Sequence, residues 1–143
     1  MISPRGEAEA CPSLRSLAWA LSTCPVPIEF DASQVGGRPR RIGVTDDGRV
    51  AVDLVGTRDG GLARATMVGV MDEAFEEDSP LWVALRVVLQ AQDPRAMARI
   101  KEAVCEVLRT GIARRTRTGG VRLGISTMRL EDGACVMVKV NMR

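Results

Sequence analysis

The residues in this chain best suited to chemistry are two groups of arginines. One is Arg38, Arg40 and Arg41; the other is Arg114, Arg115, Arg117 and Arg122. Each has glycine nearby, Gly36-Gly37 before the first and Gly111 and Gly119-Gly120 around the second. A guanidinium offers a planar fork of donors that matches phosphate or carboxylate oxygens two at a time. Backbone N–H groups in glycine loops can approach the same oxygens. The seven arginines, read as lying in loops or at strand starts, are therefore the candidate nucleic-acid- or anion-binding residues. The net charge is only +2, so bulk charge demands neither nucleic acid nor a membrane as partner. The arginines make a basic patch only if the two groups meet in space. Of 20 lysines and arginines only Lys101 and Lys139 are lysine, which leaves 18 arginines. That bias, with abundant Ala, Gly and Val, is also what a GC-rich genome produces.

Catalytic chemistry is harder to assemble. The chain has no histidine, the commonest general base and metal ligand. Serine and cysteine nucleophiles thus lack their usual activator. Lys101 and Lys139 have no evident serine partner. Asp46 and Asp47 could pair with Asp53, but both read more simply as turn residues. Neither a Walker A loop nor a dinucleotide-binding glycine fingerprint occurs. Cys11, Cys24, Cys105 and Cys135 include no Cys-x-x-Cys pair, so neither a zinc site nor an iron–sulfur site is expected. Cys11 and Cys24 flank a predicted helix and could pair only if it were short or bent. The expectation is no catalytic residue, no metal, no cofactor and four reduced thiols in a cytoplasmic protein.

One short motif stands apart. Asp31-x-Ser33-x-x-Gly36-Gly37 resembles the Asp-x-Ser-x-x-Gly motif of PilZ domains, which bind cyclic di-GMP. The resemblance covers seven residues and implies a nucleotide ligand. PilZ domains also carry an Arg-x-x-x-Arg motif a little upstream, where this chain has only Arg15.

The elements that must position these residues are clearest between Asp78 and Gly111. Ser79-Pro80 reads as N-cap and first helical residue, and Asp93-Pro94 repeats the device. The first helix, about Pro80 to Ala91, is apolar nearly all round, which predicts burial. It is well short of the roughly 20 apolar residues a bilayer needs. The second, about Pro94 to Thr110, carries Met97, Ile100, Val104, Val107 and Leu108 at helical spacing, with Gly111 as its C-terminal stop. An earlier helix from Pro12-Ser13 to about Ser22 places Leu14, Leu17, Ala18 and Leu21 on one side, with Trp19 off that stripe.

Strand signals fill the rest. Arg40 to Thr45 and Arg49 to Val55 flank the turn Asp46-Asp47-Gly48. Gly56 to Gly61 is a second turn, and Leu62 to Met71 reads as strand over helix. Val121 to Leu130 and Cys135 to Met142 flank a third turn, Glu131-Asp132-Gly133. Prolines near Ile28 predict at most an edge strand there, and Asp31 to Gly37 reads as a turn-rich loop. The acidic run Asp72, Glu73, Glu76, Glu77 and Asp78 could neutralise the arginines.

Together these predict a flexible lead-in over residues 1–11 without the features of a signal peptide. Residues 12–143 form one α+β domain. Its order is α-β-β-β-α-α-β-β, with an antiparallel sheet of about five strands and helices mainly on one face. The expected function is a non-enzymatic binding or adaptor domain acting through protein–protein contact, self-associating as a homodimer or larger homo-oligomer. Trp19, Trp82, Met128, Met137 and Met142 are its candidate interface residues. The alternatives are a nucleic-acid-binding module using the arginines and a small-molecule or nucleotide-binding domain. A membrane partner is not expected.

Overall fold

The computed structural model describes residues 13–71, 79–92, 95–118, 121–131 and 133–142. Three helices and seven strands follow in the order α1 (Leu14–Ser22), β1 (Ile28–Val35), β2 (Arg38–Thr45), β3 (Val50–Gly56), β4 (Leu62–Met71), α2 (Pro80–Gln92), α3 (Ala96–Thr110), β5 (Arg114–Thr118), β6 (Val121–Leu130) and β7 (Gly133–Met142). The α+β class is as expected. The sheet has seven strands rather than about five: the edge strand allowed near Ile28 forms and runs on through residues 31–35, expected as a loop, and the arginine-rich stretch Arg114–Thr118 is a strand at the other edge. All neighbours pair antiparallel in the order β1-β2-β3-β4-β7-β6-β5.

The helices begin and end where local chemistry dictates. Ser13 caps α1, its hydroxyl accepting from the Ser16 N–H at 3.0 Å. Ser79 does the same for α2, accepting from the Trp82 N–H at 3.4 Å. Gly111 ends α3 in the left-handed conformation, φ 74°, its N–H donating to the Val107 carbonyl. Helix α3 starts at Ala96 with no side-chain cap at Arg95; the expected Asp93-Pro94 start lies outside the described residues. So do the lead-in, the acidic run 72–78, Gly119-Gly120 and Asp132.

In the sheet, residues directly opposite one another share a face and successive residues alternate. One face carries Ile28, Val50, Val52, Leu54, Ala65, Met67, Val136, Val138, Val140, Val121, Leu123 and Ile125, all buried. All three helices cover this face. Helix α2 lies over β4, α1 over β1 and β3, and α3 over β6 and β5, so the helical layer follows the strand order. Leu62 joins the core from an even position because Ala63 is an extra residue: Arg64 pairs with Val55, but Leu62 pairs with the next residue, Gly56.

Helix α2 is buried on almost every side, with Leu81, Trp82, Val83, Ala84, Leu85, Val88 and Leu89 all in the core or at its margin. It approaches β4 closely because Gly69 has no side chain. A Cβ there would stand 2.8 Å from Leu81 Cβ.

Two outcomes test this packing. Gly69→Ala should lower the free energy of unfolding in urea by about 1–3 kcal/mol, since α2 must lift away. Gly124→Ala, where a Cβ would meet nothing within 4 Å, should change it by less than about 1 kcal/mol, in either direction. The β2–β3 turn gives a pH test. Asp47 accepts from the buried Thr45 hydroxyl at 2.6 Å and from the Arg49 N–H at 3.0 Å, and these bonds hold its carboxyl below the usual aspartate range. A depressed native value stabilises the fold above the unfolded value of about 3.9 and is lost as pH falls beneath it. Asp47→Asn should therefore flatten the acid limb of a stability–pH profile and leave its neutral region in shape.

Candidate functional site: the uncovered face of the sheet

The second face of the sheet has no helix over it among the described residues. Its cross-strand rows can be read directly from the register. One row runs Glu29, Val44, Ala51, Val68, Met137, Ser126. The next runs Asp31, Ile42, Asp53, Thr66, Lys139, Gly124, Arg115. A third runs Ser33, Arg40, Val55, Arg64, Asn141, Arg122, Arg117. At the other end Val70, Cys135 and Met128 lie side by side.

An antiparallel sheet with one face in water ordinarily alternates apolar and polar residues. Here the alternation fails on the outer face. Among the described residues eight large hydrophobic side chains are exposed, and six of them lie on this face: Val35, Ile42, Val44, Val70, Met128 and Leu130. The other two are Trp19 on α1 and Ile112 between α3 and β5.

Charge divides the same face in two. On the β1–β3 side Asp53 is held by Arg40, which donates from Nε at 2.9 Å and from a terminal nitrogen at 2.8 Å. This two-pronged bond raises the Arg40 pKa. On the other side, strands β4, β7, β6 and β5 contain no Asp or Glu at all. They present Arg64, Lys139, Arg122, Arg115 and Arg117, and none of the five makes an ion pair among the described residues. Around Gly124 these strands form an open concavity of about 610 Å³, lined by Arg115, Arg117, Arg122, Lys139 and Asn141.

The two sequence groups of arginines lie within strands β2, β5 and β6, with Arg38 and Arg114 to Arg117 in strands rather than loops, and they do not form one cluster. Arg38, Arg40 and Arg41 are on β2, while Arg115, Arg117 and Arg122 lie four or five strands away. At about 4.8 Å per strand that is roughly 19–24 Å. Arg41 and Arg114 point to the covered side of the sheet by register, and Arg114 pairs with Glu106 of α3. Arg64 and Lys139 complete the basic half, yet neither stands in a run of basic residues, so sequence clustering could not find them.

Of the expected contact residues, Met128 and Met137 are on the uncovered face; Met128 is 68% exposed and Met137 half-buried. Met142 packs against the core and Trp82 lies within it. Trp19 is exposed on the helical side. The PilZ-like residues do not form a loop: Asp31 and Ser33 belong to β1, and Gly36-Gly37 are the two-residue β1–β2 turn, with φ 56° and 78°. Arg15 lies on α1, across the sheet from both. Among the described residues no three His, Cys, Asp or Glu side chains gather to hold a metal, and no helix is long and apolar enough to cross a membrane. Cys24, Cys105 and Cys135 are free thiols.

The charge asymmetry predicts a chromatographic result. On a sulfonated resin, Arg115→Ala with Lys139→Ala should shorten retention more than Arg99→Ala with Arg109→Ala on α3, although each pair removes two charges, because the first pair breaks up a concentrated field. Equal shortening would mean that the basic half is not a distinct patch. No protein-family model, curated protein or solved structure matches this chain.

Proposed function

We propose that the protein is a non-enzymatic binding domain that engages a protein partner through the uncovered face of its sheet. The observation that carries this is the placing of six of eight exposed large hydrophobic residues on that face. Exposed apolar side chains scattered singly, as Val35 is at the far end of the face, need no explanation; Val44, Val68, Val70 and Met128 occupy two adjoining rows, and an apolar group rimmed by polar residues marks a contact surface. The size fits as well. Seven strands span roughly 29 Å, and an eight-residue strand about 27 Å, which gives a face of roughly 800 Å². A stable protein–protein interface takes about 800 Å² from each partner. Met128 and Met137 supply unbranched, polarizable side chains that adapt to a partner's shape. Self-association through the same face is one form of this reading.

The five cations of the basic half favour a second reading, a nucleic acid held by its phosphates. Phosphate contacts, however, make no use of Val44, Val70 or Met128. The face also lacks an aromatic side chain on which a base could stack.

Photo-crosslinking separates these readings. A photo-reactive side chain at Val44 or at Met128 should yield protein adducts, and these should disappear when Val70→Asp is added. Val70 is 37% exposed, so this change should leave the fold intact. The same group at Arg99, on the outer side of α3, should yield few. Equal adducts from Arg99, or adducts to nucleic acid alone from Met128, would refute the proposal.

A further inference from the structure

We infer that the partner is an acidic protein segment whose Asp or Glu side chains enter the concavity over Gly124 while its apolar side chains cover Val44, Val68, Val70 and Met128. This rests on the reading of the uncovered face as a protein-binding surface, and it adds the chemistry of the occupant.

The concavity exists because Gly124 contributes no side chain in the middle of a cationic array. In its own row it lies between Lys139 and Arg115, each one strand away. Their Cα atoms are therefore about 10 Å apart, and both long side chains can turn onto a group held between them. The adjoining row on the same face sets Asn141, Arg122 and Arg117 beside it. A Cβ built on Gly124 meets nothing within 4 Å, so the floor is open space rather than a site of tight packing. Four cations border it, and no acidic residue stands on the four strands of that half. Cations this close repel one another, and a ligand carboxylate relieves that repulsion while accepting charge-assisted hydrogen bonds.

The surroundings choose among occupants. A second copy would bring Glu29 and Asp31 as its acids on this face, since its Asp53 is held by Arg40. Two carboxylates cannot balance five cations, and the copy would bring five cations of its own. A nucleic acid would balance them, but a sheet about 29 Å wide cannot enter a major groove of about 12 Å. It would also leave the apolar strip uncovered. An amphipathic protein segment meets both halves at once: carboxylates over Lys139, Gly124 and Arg115, and apolar side chains over the adjoining row of Val44, Ala51, Val68 and Met137 and the Val70–Met128 row beyond it.

The test uses two labelled peptides that share one stripe of leucines and differ only in Glu or Gln at the adjoining positions. Fluorescence anisotropy is read at low and moderate salt, with labelled single-stranded and duplex DNA as competitors for the assignment. The Glu peptide should bind, and the Gln peptide should bind at least about tenfold more weakly. Gly124→Leu, which fills the concavity, and Arg115→Ala with Lys139→Ala should each weaken the Glu peptide about tenfold with the melting temperature held. Met128→Asp should weaken both peptides. Equal binding of the two peptides, both still weakened by Met128→Asp, overturns the acidic partner and keeps the protein-binding face. Binding of either peptide that ignores Met128→Asp overturns the face as well. DNA bound more tightly than the Glu peptide, no binding of the Glu peptide at low salt, or dimerisation in solution abolished by Gly124→Leu would each overturn the inference.

Discussion

The packing of α2 onto β4 at Gly69 is the contact on which the rest of this structure depends. A helix apolar nearly all round cannot lie at a surface. It needs cover on several sides, and the chain supplies it from β4 beneath and from α1 and α3 on its flanks. The missing side chain at Gly69 lets Leu81 come down onto the strand, which sets the height of the helical layer. Once α2 occupies the middle of one face, the three helices exhaust themselves on that face. The opposite face is left to be covered by something else or by water.

Strand order then decides what that face displays. The chain does not add its last three strands at a free edge in sequence. Strand β7 inserts beside β4, with β6 and β5 beyond it. This brings Arg64, from the first half of the chain, into one row with Asn141, Arg122 and Arg117, and sets Lys139 in the row beside it. The four strands so joined are the ones without a carboxylate, while the acids of β1 and β3 are gathered on the other half. A nearly neutral protein thereby acquires a face with one strongly basic half. On the β1–β3 side the bidentate Arg40–Asp53 bond neutralises one cation and one acid, so that half carries little net charge beside the five cations of the other.

The places where sequence reasoning fell short share a physical cause. The second half of β1 reads as a turn-rich loop, beyond the edge-strand signal near Ile28, because Asp31, Ala32, Ser33 and Gln34 have little preference for strand. At the sheet edge only Ile28 is fully buried and Phe30 partly so. Its pairing with β2 supplies the order that burial does not. Strand β5, Arg-Arg-Thr-Arg-Thr, is the other edge and has the same character, a charged edge of the kind that resists further pairing. Edge strands bury little, so hydrophobic pattern hardly marks them. Arg64 and Lys139 were missed for a different reason: neighbours across a sheet are far apart in the chain.

What the sequence determined by itself is what local forces dictate. Ser13, Ser79 and Gly111 bound helices because caps act within one turn, and Gly48 places a hairpin because, lacking a Cβ, it adopts its φ of 72° without steric cost. The apolar spacing of α2 and α3, and the alternation in β3 and β6, were legible for the same reason. The sequence also determined the α+β class, since those elements admit few ways of covering one another. Only the tertiary structure decided which strands became neighbours, which face the helices left open, and which cations met there. Those outcomes follow from burying α2 against the middle of the sheet, a contact between segments whose proximity no local rule encodes.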